Sequence, residues 1–140
     1  AAGWRRGDAV VLAAAGSSDP RAVAGVRAAA SMLAVEVGRQ VPVGFLAAGR
    51  PRLPAVVDGL RAAGERRVAV ASWLLAPGLF HRAASECGAD VVADPLGTHP
   101  AVLARLTELA GSGCRHRAHG TRPTCDANVT GVSARSAASS

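Results

Sequence analysis

The 140-residue chain has no lysine or tyrosine, and aromatic residues make up only 3% of it. Alanine, valine and leucine must therefore fill its core, within an apolar content of 49%. Every apolar run is too short to cross a bilayer, so a membrane is not an expected partner. There are only three cysteines, and an odd number does not make a disulfide framework. This favours a reduced, cytoplasmic setting.

The basic charge is carried entirely by arginine and is spread along the chain. Residues 1–110 hold 12 of the 16 arginines and 9 of the 10 acidic residues, so this part is only mildly basic. A nucleic-acid interface would need arginines clustered on one face, and the sequence has no such stripe. Nucleic acid is therefore not an expected partner. Scattered arginines in loops suit an anionic small molecule, or simply a solvated surface.

Alternating apolar runs and amphipathic stretches predict an α/β domain over residues 1–110. The first strand is expected at 10–15, and Asp19 and Pro20 mark the start of a helix that runs to about Val37. The remaining elements are strands at 41–48, from 68 and at 89–93, and helices at 53–64, 81–87 and after 98, the last with Val102, Leu103, Leu106 and Leu109. Right-handed crossovers between these strands give a parallel sheet. The Gly-, Ser- and Arg-rich residues 111–140 are predicted to be a disordered tail.

The loops that follow the four strands should meet at one edge of the sheet, where open α/β sheets bind ligands. His81 and His99 lie in two of these loops and are the only imidazoles of residues 1–110. If they converge, they could hold a metal or move a proton. The alternative is that His81 is a surface histidine with no role.

Two further motifs are weak on their own. The turn at 16–20, with Ser17 and Ser18, could offer helix amides to an anion, or could be only a capped turn. It has neither the GxGxxG pattern nor the Walker lysine. The tail contains a C-x-H-x2-H-x5-C cluster formed by Cys114, His116, His119 and Cys125. Its spacing matches no zinc finger, so it is either a loose metal site or a chance cluster.

Four stretches in this order resemble the sirohydrochlorin chelatases, the small cobaltochelatases and ferrochelatases of the CbiX and SirB type. They are GSSDPR at 16–21, PRLP at 51–54, LLAPGLFH at 74–81 and PLGTHP at 95–100. The resemblance covers about residues 8–110 and implies a flavodoxin-like (chelatase-like) four-stranded parallel sheet flanked by helices. It also implies insertion of Co²⁺ or Fe²⁺ into a tetrapyrrole during cobalamin or sirohaem biosynthesis. The metal is then a substrate, and no prosthetic group is expected.

The chain departs from this family at two of three metal-site positions. The histidine after the first strand is replaced by Ala15, and the glutamate at the end of the second strand by Ala47, while the third position keeps His81. This pattern resembles the C-terminal half of a two-half chelatase. Because one imidazole is not a chelating set, catalysis is expected to be depleted, and whether the chain is an enzyme stays open.

The resemblance also implies roles for individual residues and partners. His81 would accept metal or pyrrole protons as the catalytic residue, and His99 could add a second metal ligand. The candidate substrate-binding residues, which would contact tetrapyrrole carboxylates, are Ser17, Ser18, Arg50, Arg52 and Arg82. A homodimer or a missing N-terminal chelatase half is the expected protein partner. The alternative function is a non-catalytic tetrapyrrole- or metal-binding half-domain that completes a partner's cleft.

Overall fold

The computed structural model describes residues 3–97 and 99–113, and these alternate strands with helices. In chain order the elements are β1 (Ala9–Ala14), α1 (Pro20–Val37), β2 (Val43–Phe45), α2 (Leu53–Ala62), β3 (Val68–Trp73), α3 (Leu79–Ser85), β4 (Val91–Val92) and α4 (Pro100–Gly113). Apart from the residues at the end of α4, the predicted tail at 111–140 lies outside the described residues. The Cys114–Cys125 cluster does so too. The division into a domain and a tail therefore stays a prediction.

All four strands run parallel in one sheet with the order β2–β1–β3–β4. Strand β1 is central: Leu12 lies opposite Val43 of β2, and Val10 lies opposite Ala69 of β3. The predicted α/β fold, a four-stranded parallel sheet flanked by helices, is confirmed.

Both faces of β1 are buried, which explains why its apolar run is continuous rather than alternating. On one face Val11 packs with Val57 and Val70 in a core covered by α2 and α3. On the other face Leu12 packs with Ala30 of α1 in a smaller core. Small aliphatic side chains fill these layers, as the low aromatic content requires.

Helix α1 has the predicted bounds because its ends carry specific signals. The Asp19 carboxylate accepts a hydrogen bond from the Arg21 amide at 2.9 Å, and Pro20 occupies the first turn. Gly38 ends the helix with a left-handed backbone, φ 71°.

Two strands are shorter than predicted. Strand β2 covers Val43–Phe45 instead of 41–48. After Phe45 the chain enters a loop in which the carbonyl of Pro51 accepts the Phe45 amide at 2.9 Å, while the Leu46 amide still donates to the carbonyl of Ala14. Strand β4 covers Val91–Val92 instead of 89–93. At its start the Asp90 side chain, not its carbonyl, accepts the hydrogen bond of the Val68 amide. Helix α3 begins at Leu79, before the predicted residue 81.

Helix α4 forms where it was predicted, but its apolar stripe does not pack on the sheet. Leu103, Leu106 and Leu109 remain 48%, 54% and 52% exposed. The spacing of these leucines therefore predicted the helix but not its position. No helix within residues 3–97 and 99–113 is long and apolar enough to span a membrane.

The side chain of Asp90 links the start of β4 to β3 and α2 through hydrogen bonds. Its carboxylate accepts hydrogen bonds from the Val68 amide and from Nη2 of Arg61, both at 2.7 Å. The backbone hydrogen bond of Val68, and then the Arg61 guanidinium, hold the pKa of this carboxyl below its ordinary value, although desolvation opposes them.

We expect Asp90→Asn to destabilise the protein at neutral pH. Because the folded-state pKa is depressed, the stabilisation is present above the unfolded pKa of about 3.9 and is lost as the pH falls through the lower folded value. Thermal unfolding across pH should therefore show a Tm gap between parent and variant that closes at acidic pH. Asp58→Asn is the control, since Asp58 makes no hydrogen bond or ion pair within the described residues. A gap that stays constant with pH would contradict this assignment.

Candidate functional site

The candidate site is the edge of the sheet at which all four parallel strands end. The connecting loops at this edge are 15–19, 46–52, 74–78 and 93–99. Ligands of open α/β sheets collect at this edge because the loops converge there and leave a crevice. All the site residues predicted from the sequence lie in these loops or in the helix turns that follow them.

The first and second loops are joined through their backbones. The carbonyl of Ala15 accepts hydrogen bonds from the amides of Ala47 at 2.9 Å and Ala48 at 3.2 Å. Ala15 and Ala47 are the two positions at which the resemblance implies a histidine and a glutamate. The backbone therefore brings these positions together, although both side chains are methyl groups.

Gly16 makes this contact between the loops feasible. Its φ is 95°, and a Cβ at this residue would lie 1.6 Å from the carbonyl oxygen of Ala48. Both the backbone conformation and the lack of space thus require glycine at this position.

A cavity of about 170 Å³ lies above the end of β1. It is lined by Ala14, Ala15, Gly16, Ser17, Ala22, Val23, Val26, Phe45 and Trp73. This lining includes no carboxylate, imidazole or thiol. The cavity can accept an apolar group, but its own side chains cannot ligate a metal ion.

His81 lies in the first turn of α3, directly beyond Pro77 and Gly78. Its side chain is half-buried, and its imidazole makes no hydrogen bond within the described residues. Three large apolar side chains of the same segment are exposed: Leu75, Leu79 and Phe80, at 66%, 80% and 45%. The His81 imidazole therefore has no competing hydrogen bond within the described residues, and it belongs to a segment with exposed apolar side chains.

His99 has a structural contact of its own. Its Nδ1 accepts the amide of Ala101 at 3.3 Å, and its carbonyl accepts the amides of Val102 and Leu103, so it caps α4. An Nδ1 that accepts leaves the ring proton on Nε2, so while this cap is in place Nε2 can donate a hydrogen bond but cannot ligate a metal. His81 lies in the first turn of α3 and His99 directly precedes α4, two helices that follow neighbouring strands, but no hydrogen bond joins the two side chains. Within residues 3–97 and 99–113, no group of three or more His, Cys, Asp or Glu side chains is arranged to hold a metal ion.

In the turn after β1, two side chains form hydrogen bonds with backbone amides of the same turn. Oγ of Ser17 accepts the amide of Asp19 at 3.0 Å, and Asp19 in turn caps α1. Ser17 also lines the cavity above β1, whereas Ser18 is exposed and has no partner among the described residues. The capped-turn interpretation thus accounts for Ser17. The hydroxyl of Ser18 remains available to donate a hydrogen bond to an anion.

The three candidate arginines differ in how far they are available. Arg52 donates from Nη1 to the carbonyl of Leu46 at 2.9 Å and so supports the second loop. Arg50 and Arg82 are exposed and make no hydrogen bond or ion pair within the described residues. Arg50 lies beside a groove of about 580 Å³ that Arg27 of α1 also lines.

Two parts of this edge were not predicted from the sequence. Arg27 lies on α1, and only the packing of α1 beside β2 brings it to the groove with Arg50. The apolar run of β3 was predicted to be buried throughout. At its end, however, Trp73 is 47% exposed. The break at Pro77 and Gly78 was the available signal that this run leaves the core.

Comparison with known proteins agrees with this architecture. The sequence profile of the CbiX family matches residues 9–111, which is well over half of the chain. The chain belongs to the CbiX family. It is thus a chelatase-like domain of cobalamin biosynthesis, which confirms the resemblance noted in the sequence.

The fold also matches a solved structure, of a protein from Marinobacter aquaeolei VT8 described as a CbiX protein of cobalamin (vitamin B12) biosynthesis. The TM-score is 0.59 at 21% sequence identity, over 76% of this chain and 97% of that one. At this identity the likeness shows the fold alone. No match was found among curated protein sequences.

We expect Gly16→Ala to disrupt the junction between the first two loops and to cost more than about 4 kcal/mol of stability, as for other changes that force a backbone clash. Gly7→Ala is a matched control, because Gly7 has φ 106° but open space around its Cβ position. It should cost only about 1–2 kcal/mol, the cost of the left-handed backbone. Urea denaturation measures both values. Equal losses in the two variants would show that the contact with Ala48 is unimportant.

Proposed function

We propose that this domain binds a sirohydrochlorin-type tetrapyrrole at the strand-end edge and supports insertion of Co²⁺ or Fe²⁺, with depleted catalytic power. The observation that carries this proposal is the backbone junction of Ala15 and Ala47. The junction holds beside each other the two backbone positions at which the family resemblance implies metal ligands, although neither side chain can ligate. His81 is the remaining group that can act on the metal or the macrocycle.

The surface chemistry of the edge suits such a substrate. A tetrapyrrole of this kind has a flat, conjugated centre and a rim of carboxylates. Trp73, Leu79 and Phe80 offer exposed apolar area for the centre, since aromatic and aliphatic side chains pack well against flat rings. The free guanidinium groups of Arg50 and Arg82 can form charge-assisted hydrogen bonds with the carboxylates. In this proposal Arg52 and Ser17 position the loops, and Ser18 offers a hydroxyl.

Insertion of a divalent metal releases two pyrrole protons, so it requires a group that accepts them. The neutral imidazole of His81 can take one proton at a time and pass it to solvent. A metal-binding glutamate and a second histidine would come from a partner. We propose a separate N-terminal chelatase half as that partner, in the cytoplasm and without a prosthetic group, since a second copy of this chain would add only another His81.

The alternative is a non-catalytic half-domain that binds tetrapyrrole or metal and completes the cleft of a partner. The apolar lining of the cavity above β1 favours it, because that cavity has no side chain that could bind the incoming metal.

The first test is an absorbance time course of sirohydrochlorin with Co²⁺, with and without the protein. In the proposed function the parent accelerates insertion, and His81→Ala returns the rate to the uncatalysed value, since a positioned base contributes about 100-fold or more. His99→Ala should keep the acceleration, and weaker Co²⁺ binding by this variant would show that His99 releases the Ala101 amide in order to ligate the metal. A protein-induced spectral shift without acceleration would support the alternative. No acceleration and no shift would contradict both functions.

The second test restores the missing side chains. We expect Ala15→His combined with Ala47→Glu to raise Co²⁺ affinity and insertion rate at least about tenfold, since the backbone places both residues beside each other. Ala15→His with Ala47→Gln is the matched control, because it keeps the size of the side chain and removes the anionic ligand. Calorimetric titration with Co²⁺ and the insertion assay measure the two effects. An equal gain in both double variants would show that the carboxylate does not bind the metal.

A further inference from the structure

The groove of about 580 Å³ that Arg27 and Arg50 share is formed by α1, the edge strand β2 and the loop after it. The polar side chains of its lining are those of Arg27, Ser31, Gln40 and Arg50, and the remaining side chains are apolar. Small-molecule sites typically combine a mostly apolar lining with a few polar groups that orient the ligand. The groove has this composition.

The charge of the groove is positive and is not compensated by its own lining. Arg27 lies in the first half of α1 and Arg50 in the loop after β2, so the fold brings together two arginines that are distant in sequence. Both are exposed, and neither guanidinium makes a hydrogen bond or ion pair within the described residues. The lining contains no aspartate or glutamate. Two guanidinium groups in this state favour a carboxylate, to which they can donate charge-assisted hydrogen bonds.

The groove adjoins the strand-end edge, where the tetrapyrrole is proposed to bind. The buried ring of Phe45 lines both the groove and the cavity above β1. Arg50 belongs to the loop that the carbonyl of Ala15 holds through the amides of Ala47 and Ala48. A ligand that lies on the edge and extends past the end of β2 therefore reaches the groove.

We propose that the groove binds an acidic side chain of the tetrapyrrole, and that Arg27 contacts its carboxylate together with Arg50. This inference rests on the proposed function and adds to it a subsite and a specificity-determining residue, Arg27. The apolar lining packs against the methylene groups of the acidic side chain, while the two guanidinium groups bind its charged end. Arg27 thereby selects tetrapyrroles that carry a carboxylate on the part of the rim that faces β2.

Titration of the full chain with sirohydrochlorin, followed by absorbance, tests the role of Arg27. We expect Arg27→Gln to weaken binding at least about tenfold, the loss of a hydrogen bond to a charged group. Arg27→Lys should recover part of this loss, because it keeps the charge without the planar fork. Arg66→Gln is the control, since Arg66 is exposed and directly precedes β3, at the opposite edge of the sheet. It removes the same charge and should leave binding nearly unchanged.

The outcomes separate this inference from the proposed function. If the parent binds sirohydrochlorin and the two glutamine variants bind it equally well, the subsite is wrong and the proposed function still stands. If the parent does not bind sirohydrochlorin, both are wrong.

Filling the groove tests its occupancy without a change in charge. We expect Ser31→Trp to weaken sirohydrochlorin binding at least about tenfold, because the indole would occupy the space of the acidic side chain while both arginines remain. Ala28→Trp is the matched control, since Ala28 is exposed on the same helix but does not line the groove. Circular dichroism verifies that both variants are folded. Unchanged binding by a folded Ser31→Trp variant would overturn the proposal.

Discussion

The site depends on one backbone contact, the two hydrogen bonds that the carbonyl of Ala15 accepts from the second loop. This contact exists only because Gly16 has no side chain where the chain passes Ala48. It fixes the ends of β1 and β2 relative to each other independently of the neighbouring side chains. The backbone contact between Ala15 and the second loop therefore does not depend on which side chains residues 15 and 47 carry.

The scarcity of aromatic residues makes their positions informative. The chain has two tryptophans and two phenylalanines, and of these only Phe45 is buried in the core. Trp73 and Phe80 are exposed at the strand-end edge. Trp4 lines an apolar groove over β3 and β4, beside α1. Exposing large apolar side chains is unfavourable unless a ligand or partner covers them. Trp73 and Phe80 thus mark the strand-end edge, for which binding is proposed.

The sequence predicted the fold well because its signals were local. The apolar run of β1 and the capping residues Asp19 and Gly38 each specify one element, and parallel pairing follows from their order. The site was predicted as a set of loops with candidate residues, but not as an arrangement of their side chains. Whether His81 has a partner, or Arg52 is already engaged with Leu46, depends on contacts between distant segments. No local pattern encodes those contacts, and for the same reason the position of α4 was not predicted.

Dimerisation by itself does not restore the missing chemistry. A second copy carries the same Ala15 and Ala47, so it can add only another His81. Two imidazoles could hold a divalent ion, yet they provide no anionic ligand to compensate the charge of an incoming metal. Under the proposed function, a homodimer is consistent with binding a metal or a tetrapyrrole, whereas efficient insertion would require a different half with a histidine and a glutamate at these positions. The identity of residues 15 and 47 in the partner, rather than dimerisation itself, decides between the two functions.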